Sequence, residues 1–212
     1  MSNLGKTGGI VLCGGMSRRM GTAKAWLPIQ GETMLARICR ILAQVVDPIV
    51  VVAGPNQDVP PLPSEIEVVR DTEECQGPLK GLVGGLRALE GGADAAYLTS
   101  CDVPLLRSDF VKAVVDSLAE YDAAAPEVNG RLQPLAAVYR SMVRLQAEAM
   151  LAKEQRRARD LLDLVRTRRI PADELRGADP ALESLRNINT PEEYEAVLRD
   201  VATLDRKEPR TK

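Results

Sequence analysis

The chain has 212 residues, 45% of them hydrophobic and only 3% aromatic, so one α/β domain of this length must fill its core mainly with aliphatic side chains. The formal net charge of −2 provides no overall field that would attract nucleic acid or an anionic membrane. The chain contains no histidine, which excludes Ser-His-Asp triads, Cys-His pairs and histidine-ligated metal sites.

The predicted elements alternate along the chain. Short apolar runs predict strands at residues 10–13, 48–53, 66–70, 95–100, 122–126 and 134–139. Segments of helical period lie at residues 33–46, 79–90, 108–120 and 141–166. A last helix is predicted to begin at Pro191, because Thr190 and Glu193 have the spacing of a capping box around it. This order predicts an α/β fold with a doubly wound, mostly parallel sheet and helices on both faces.

We expect a single domain over residues 1–204 and a polar, frayed tail over residues 205–212. No apolar run approaches the roughly 20 residues that a membrane-spanning helix needs, and the N-terminus lacks a signal-peptide pattern. These features predict a cytoplasmic protein that has neither a membrane nor a nucleic acid as partner.

The available reactive groups are restricted. The four cysteines have no CxxC spacing and are predicted to be reduced thiols rather than a disulfide framework or a zinc site. Without histidine, chemistry must rely on Asp, Glu, Lys, Arg and backbone groups, together with a hard metal ion. Phosphoryl or nucleotidyl transfer suits this set, because it depends mostly on positioning and charge stabilisation.

The first predicted strand runs into a glycine turn and a group of cations, in the stretch GGIVLCGGMSRRMGTAKAWLPI at residues 8–29. Gly14 and Gly15 permit a tight turn whose N–H groups can face an anion. The spacing matches neither the dinucleotide fingerprint GxGxxG nor the Walker loop GxxxxGK[ST]. Arg18, Arg19 and Lys24 then suit the phosphates of a triphosphate. The alternative is a surface loop with ordinary basic residues.

A second stretch, AAYLTSCDVPLL at residues 95–106, predicts a buried strand that ends at Asp102 and is followed by a proline turn. Ligands of an open α/β sheet bind outside the carboxyl ends of its strands. A carboxylate at that edge can hold Mg²⁺. The alternative is an aspartate that only forms the turn or caps a helix.

Two further stretches carry candidate site residues. In VRDTEECQGPLKGLVGGL, at residues 69–86, Asp71 follows a predicted strand and a glycine-containing loop then opens a helix. In LRNINTPEEY, at residues 185–194, Asn187 and Asn189 alternate on one face of an extended segment, so both amides can point into a cleft. The alternatives are a loop that merely starts a helix and asparagines that serve as turn and cap residues.

Five stretches, in order over residues 9–194, resemble the motifs of molybdenum cofactor guanylyltransferases. LCGGMSRRMGTAKAWL is similar to LAGGxSxRMGxxKxLL, with Cys13 in place of the usual alanine, and SCDVPLL is similar to CDxPxL. Asp71 with GPLKG resembles D…GPLxG, NGRLQPLAAVY resembles GxxxPLxAvY, and RNINTPEEY resembles xNiNTPeDl. The resemblance implies a Rossmann-like nucleotidyltransferase fold.

The resemblance also implies the reaction and its components. The enzyme would convert GTP and molybdenum-bound molybdopterin into the guanine dinucleotide cofactor and pyrophosphate, with Mg²⁺ as cofactor. It would make transient contact with proteins that deliver molybdopterin or receive the finished cofactor.

Residue roles carry over motif by motif. The implied catalytic residues are Arg19, Lys24 and Asp102, with Asp102 as the Mg²⁺ ligand. The implied nucleotide-binding residues are Leu12, Cys13, Gly14, Gly15, Lys24, Asp71 and Asp102. The implied acceptor side consists of Gly77, Pro78, Leu79, Asn187 and Asn189.

Three alternatives stay open at this point. Many relatives carry asparagine at the end of the second strand, where this chain has Ala53, so a cytidylyltransferase of the same cofactor pathway is one alternative. A sugar-phosphate or similar nucleotidyltransferase is another. The third is a nucleotide-binding adaptor that has lost catalysis, against which the joint presence of Lys24 and Asp102 argues.

Overall fold

A computed structural model describes residues 5–13, 23–71 and 77–204, with the backbone alone at 202–204. The strands of these ranges are β1 (Thr7–Leu12), β2 (Pro28–Ile29), β3 (Glu32–Thr33), β4 (Ile49–Ala53), β5 (Glu67–Arg70), β6 (Ala95–Ser100), β7 (Ala123–Val128), β8 (Arg131–Leu132), β9 (Ala137–Arg140) and β10 (Thr167–Pro171). The α-helices are α1 (Met34–Leu42), α2 (Pro78–Ala88), α3 (Ser108–Asp116), α4 (Val143–Ala152), α5 (Ala158–Leu164), α6 (Ala172–Leu175) and α7 (Pro191–Leu204).

The main sheet has the strand order β10-β7-β9-β6-β1-β4-β5, and the short β8 pairs with β7. Strand β9 runs antiparallel to both of its neighbours, whereas the pairs β1–β4, β1–β6, β4–β5 and β10–β7 are parallel. Strands β2 and β3 form a separate antiparallel hairpin. The predicted fold class, a doubly wound and mostly parallel sheet, is confirmed.

Strand β1 lies in the middle of the sheet and is buried on both faces. Ile10 and Leu12 pack against side chains of α2, α4 and α5. Val11 and Cys13 pack on the opposite face with side chains of α1, α3 and α6. This placement explains the unbroken apolar run in the sequence, because a parallel strand covered by helices on both sides has no face that needs polar residues.

Helix α2 approaches β1 closely because two of its contact positions are glycines. A Cβ atom at Gly85 would lie 2.6 Å from Cγ2 of Ile10, and one at Gly81 would lie 2.7 Å from Cδ2 of Leu12. A residue larger than glycine at either position would therefore push the helix away from the strand. This contact fixes the position of the helix relative to the carboxyl end of β1.

The prediction of one helix over residues 141–166 is wrong, because two helices occupy this segment. Helix α4 ends where Glu154 adopts a left-handed backbone with φ of 60°. The N–H of Gln155 then donates to the carbonyl of Met150, and the N–H of Glu154 donates to that of Leu151. This is a Schellman ending. The polar run after Ala152 offers no apolar side chain that would hold a continuous helix against the sheet.

Several other bounds differ from the predictions. The segment predicted as a strand from residue 134 begins with a 3-10 turn at Pro134–Ala136, and only Ala137–Arg140 pairs as β9. The strand β10 and the short strands β2, β3 and β8 were not predicted. The tail predicted at residues 205–212 lies outside the described residues. Among the helices that the structure describes, none has the length and apolar character to cross a bilayer.

Substitution of Gly85 by alanine tests the contact between α2 and β1. We expect Gly85→Ala to lower the free energy of unfolding by about 1–2 kcal/mol, because overpacking typically costs about 1–3 kcal/mol and the gain in helix propensity returns less than about 1 kcal/mol. Urea denaturation measures the change.

The matched control is Gly84→Ala in the same helix. A Cβ there would meet nothing closer than 3.9 Å, so this variant should be more stable by about 0.5–1 kcal/mol. Equal effects of the two substitutions would show that helix propensity, and not the contact with Ile10, determines the stability.

Candidate active site

The candidate site lies at the carboxyl ends of β1 and β6. The pairing of these strands extends one bond past β6, where the N–H of Cys101 donates to the carbonyl of Leu12 at 3.0 Å, and Asp102 follows directly. Lys24 begins a 3-10 turn, Lys24–Trp26, in the segment that leads from β1 to β2. Strand β1 has β4 as its neighbour on one edge and β6 on the other, so the strand order reverses at β1. A crevice is expected at the carboxyl ends of the strands where the strand order reverses in this way.

Lys24 and Asp102 form an ion pair, with Nζ 2.8 Å from Oδ2. Their side chains are only 17% and 15% exposed, so water screens the attraction less than it does at an open surface. Lys24 Nζ also donates to Oδ1 of Asn189 at 2.9 Å. The pair therefore combines one cation and one anion in a sheltered position at the strand ends.

The second oxygen of Asp102 is held by neutral donors. Oδ1 accepts from Oγ of Ser100 at 2.5 Å and from Nδ2 of Asn187 at 2.9 Å. The backbone is fixed as well, because the N–H of Ile188 donates to the carbonyl of Asp102 at 2.9 Å. The carboxylate thus has one oxygen on a cation and one on two neutral donors, so its orientation is set from both sides.

Residues 187–189 cross the site as an extended segment whose side chains alternate. Asn187 and Asn189 both reach the ion pair, as their spacing predicted. Ile188 points the other way and is fully buried. It packs into a third apolar cluster made by Leu27, Ile29, Met34, Leu105, Ile188, Val197 and Val201. This cluster joins α7 to the β2–β3 hairpin and to the segment after Asp102.

The first turn of α7 holds this segment through hydrogen bonds to its backbone. Oε2 of Glu193 accepts from the backbone N–H of Asn189 at 2.6 Å and from that of Thr190 at 3.1 Å. In return, the N–H of Glu193 donates to Oγ1 of Thr190 at 3.3 Å. These bonds form the predicted capping box. Tyr194 donates its hydroxyl to the carbonyl of Pro28, which ties the same helix to the hairpin.

The ends of β4 and β5 lie on the far side of β1, and one of the residues predicted to bind nucleotide, Asp71, stands there. Asp71 follows β5, and its N–H donates to the carbonyl of Ala53 at 2.9 Å. Burial raises the pKa of the Asp71 carboxyl, and the charge of Lys80 partly opposes this. The side chain of Ala53 is buried in the core, so it does not take the place of the asparagine that many relatives carry.

The glycine loop before α2 contributes backbone rather than side chains. Gly77 precedes the helix with φ of 82°, a conformation that glycine adopts without strain, and Pro78 is the first helical residue. Leu79 was expected on the acceptor side, but its side chain is completely buried among apolar residues. The side chain of Leu12 is likewise in the core. Both positions can meet a ligand only through their backbone.

Four of the predicted residues cannot be placed. Gly14, Gly15, Arg18 and Arg19 lie outside the described residues, as does Cys75. The cysteines that are described, at positions 13, 39 and 101, are buried and unpaired, as predicted. The hydrogen bond with Cys101 lowers the pKa of the Cys13 thiol, and burial raises the pKa of Cys39 to about 12.

Sequence reasoning missed two side chains that contact these groups. Ser100 stands two residues before Asp102, and in an extended strand this spacing places both on one side, so the S-x-D pattern could have revealed it. Gln57 was not predicted either. Its amide nitrogen donates to the carbonyl of Cys13 at 2.7 Å, and no local pattern indicates this contact across 44 residues.

The profile of the MobA-like NTP transferase domain matches residues 9–171, which covers most of the chain and includes Lys24, Asp71 and Asp102. The chain belongs to the MobA-like NTP transferase family. A relative from Bacillus cytotoxicus, described as a probable molybdenum cofactor guanylyltransferase, is 35% identical over 90% of this chain and 95% of its own length. Membership in this family makes the protein an enzyme of the nucleotidyltransferase class, of the molybdenum cofactor guanylyltransferase type.

Solved structures of low identity share the fold of this MobA-like domain. The molybdopterin-guanine dinucleotide biosynthesis protein A of Archaeoglobus fulgidus superimposes with a TM-score of 0.72 at 20% identity, over 94% of this chain and 98% of that one. The 4-diphosphocytidyl-2C-methyl-D-erythritolsynthase of Anaerococcus prevotii gives 0.68 at 12% identity, over 93% and 98% of the two chains. The fold is therefore shared by proteins described with different nucleotides.

Removal of the capping carboxylate tests how α7 holds the site segment. We expect Glu193→Ala to lower the free energy of unfolding by about 1 kcal/mol, since losing a helix cap costs about 0.5–2 kcal/mol. The two backbone N–H groups that it satisfies would then turn to water. Chemical denaturation measures the change.

Glu195→Ala provides the control, because Glu195 is exposed on the same helix and its replacement removes the same charge. It should change the stability by less than about 0.5 kcal/mol. A Glu195 variant as unstable as the Glu193 variant would contradict the capping role.

Proposed function

We propose that the enzyme transfers GMP from GTP to molybdenum-bound molybdopterin, which gives the guanine dinucleotide cofactor and releases pyrophosphate. The observation that carries the proposal is the Lys24–Asp102 pair at the strand ends, held by Asn187 and Asn189. The likeness to the Bacillus cytotoxicus relative supports the choice of reaction.

Of the cations predicted to bind the triphosphate, Lys24 is the one whose position the structure describes. Its ammonium is held by Asp102 and Asn189, which keeps it ready beside the crevice instead of extended into water. When a triphosphate enters, Lys24 can exchange the carboxylate for phosphate oxygens and stabilise the negative charge of the leaving pyrophosphate. The family resemblance adds Arg19 to this role.

Asp102 fits a Mg²⁺ ion. Mg²⁺ is usually bound in enzymes by one or two carboxylates together with substrate phosphates and waters. Oδ2 of Asp102 already accommodates a cation, the ammonium of Lys24, while Ser100 and Asn187 orient the other oxygen. When bound there, Mg²⁺ would neutralise charge on the phosphates. The work of the protein is to hold the carboxylate in place.

The acceptor supplies its own nucleophile. A phosphate monoester carries about −1.5 to −2 charges at pH 7, so its oxygen needs no general base. The acceptor oxygen forms a bond to the α-phosphorus of GTP, on the side opposite the α–β bridging oxygen. The bond between the α-phosphorus and the bridging oxygen breaks as pyrophosphate leaves. The reaction therefore suits a chain that contains no histidine.

The acceptor side is formed by polar groups of two elements. Asn187 and Asn189 present carboxamides next to the ion pair, and Gly77 with Pro78 presents the backbone at the start of α2. Carboxamides can both donate to and accept from the polar edges of a pterin. These groups would orient the acceptor and leave the charge stabilisation to Lys24 and Asp102. We further propose that the protein acts in the cytoplasm, together with the proteins that supply its acceptor.

Replacement of Asp102 by asparagine separates a metal ligand from a turn residue. We expect Asp102→Asn to fold, to require more Mg²⁺ and to lose about 10²-fold in kcat, because one charge-stabilising group in an active site contributes about 10²–10³-fold. The measurement is a Mg²⁺ titration of pyrophosphate release from GTP with acceptor present, and circular dichroism checks the fold. Asp109→Asn, at an exposed position in α3, controls for the loss of one negative charge. A folded Asp102 variant with unchanged activity and Mg²⁺ dependence would leave only the turn role.

Donor selectivity separates the guanylyl from the cytidylyl reaction. We expect GTP to be used at least about tenfold better than CTP in kcat/KM, which corresponds to about 1.4 kcal/mol of transition-state binding. Steady-state pyrophosphate release with each nucleotide and the same acceptor measures the ratio. If CTP is the better donor, the reaction is cytidylyl transfer, which the buried Ala53 leaves open as the second candidate.

A further inference from the structure

The Gln57 carboxamide bridges two backbone groups at the ends of β1 and β4. Its nitrogen donates to the carbonyl of Cys13 at 2.7 Å, and its oxygen accepts from the N–H of Gly54 at 3.1 Å. One side-chain amide thus satisfies one acceptor and one donor on two adjacent strands. Both groups stand at the carboxyl edge of the sheet, on the side of β1 away from Asp102.

The position of this bridge follows from the strand register. Strands β1 and β4 pair in parallel up to Leu12 opposite Val52, and the last bond of the ladder joins the N–H of Cys13 to the carbonyl of Val52 at 2.8 Å. One further step in the same register would join the N–H of Gly54 to the carbonyl of Cys13. The strands separate at this step, and the amide of Gln57 is inserted between the two groups. We call this donor and acceptor, the Gly54 N–H and the Cys13 carbonyl, the open rung.

For a base whose ribose is held in one orientation, the open rung distinguishes the order of acceptor and donor along the base edge. It offers an N–H next to a carbonyl, so it matches a ligand that presents an acceptor next to a donor. The lactam edge of guanine, O6 beside N1–H, has the same pattern as the carboxamide that fills the rung. Adenine in the same pose would place its amino group against the Gly54 N–H and its ring nitrogen against the Cys13 carbonyl. Unpaired polar groups of this kind are strongly rejected in a protein site.

We propose that the Gln57 carboxamide holds the place of the guanine lactam edge in the nucleotide-free enzyme, and that GTP binds by displacing it from the open rung. The proposal rests on the proposed guanylyl transfer and specifies how the donor base is chosen. It makes Gln57 a specificity-determining residue, because a base held in the orientation of guanine must present its acceptor and donor in the same order to replace the carboxamide.

The neighbouring backbone is built to remain in place when the side chain leaves. The N–H of Gln57 donates to the carbonyl of Gly54 at 3.2 Å, which closes a turn over residues 54–57. Arg70 of β5 donates to the carbonyls of Gln57 at 2.7 Å and of Gly54 at 3.3 Å. The turn is therefore held by its backbone, and rotation of the Gln57 side chain alone would free the open rung.

The single tryptophan of the chain reports on this turn. Trp26 donates its indole N–H to the carbonyl of Asp58 at 3.3 Å, one residue after Gln57, and its side chain is partly exposed. A nucleotide base that binds beside this turn should change the surroundings of this indole, although the backbone of the turn stays in place. Tryptophan fluorescence can therefore follow nucleotide binding to the unlabelled enzyme.

The test compares nucleotide affinities of the wild type with those of Gln57→Ala and Gln57→Met. Both variants lack the competing amide, and the methionine keeps the length of the side chain. With Mg²⁺ present, we expect both to bind GTP and ITP about tenfold more tightly than the wild type, because the hydrogen bonds of the Gln57 carboxamide, including one to Sγ of Cys13 at 3.3 Å, no longer have to be broken. ATP, which lacks the lactam edge, should bind no better. Asn56→Ala, at the exposed neighbouring position of the same turn, should bind all three nucleotides as the wild type does.

The outcomes distinguish this inference from the proposed function. If the wild type prefers GTP and both Gln57 variants bind GTP equally or more weakly, the place-holding role is overturned and guanylyl transfer stands. If the affinities for GTP and ATP rise together, the side chain blocks the site without reading the base, and the inference fails. If the wild type binds CTP in preference to GTP, the proposed function fails and the inference fails with it. Circular dichroism and the thermal midpoint confirm that each variant is folded.

Discussion

The ion pair between Lys24 and Asp102 is the interaction on which the site depends. It joins the 3-10 turn that begins at Lys24 to the segment after β6, and Asn187 and Asn189 join the extended segment before α7 to the pair. A charge at a sheltered position loses hydration, and a partner of opposite charge offsets this cost. All three segments must therefore be in place together. The bond from the Ile188 N–H to the carbonyl of Asp102 is the backbone link that keeps them in register.

Among the described residues, polar side chains at the carboxyl ends of the strands bond to one another or to nearby backbone groups. Lys24 is paired with Asp102, Asn187 is bonded to the other oxygen of the same carboxylate, and the Gln57 amide fills the open rung. This follows from the general rule that buried polar groups need partners. Under the proposed function, ligand binding would be an exchange of partners, in which phosphates, a metal ion and a base take over contacts that the protein makes internally. The polar groups that would stabilise the ligand are then oriented before it arrives.

The sequence predicts the parts of this structure that depend on local pattern. The apolar run at residues 10–13 indicates a central strand because both faces of β1 are covered, and Thr190 with Glu193 indicates the start of α7 through a spacing of three residues. The break between α4 and α5 was missed, because Glu154 in a left-handed backbone ends a helix at a residue that normally favours one. The contact of Gln57 with Cys13 depends on where β1 and β4 separate, and this separation is a property of the sheet that neither segment encodes alone.

The free energy needed to prefer one base over another is small compared with the free energy that holds the fold together. A tenfold preference between two bases needs only about 1.4 kcal/mol, roughly the net contribution of one hydrogen bond. The sheet of this enzyme is instead held by dozens of buried aliphatic side chains on both of its faces. Under the proposed base selection, a change in one or two groups at the strand ends, such as Gln57, would therefore alter which base is accepted while the core and the Lys24–Asp102 pair stay as they are. The match to the family model identifies the class of enzyme, whereas the choice of nucleotide is assigned to the open rung beyond β4 only as a proposal.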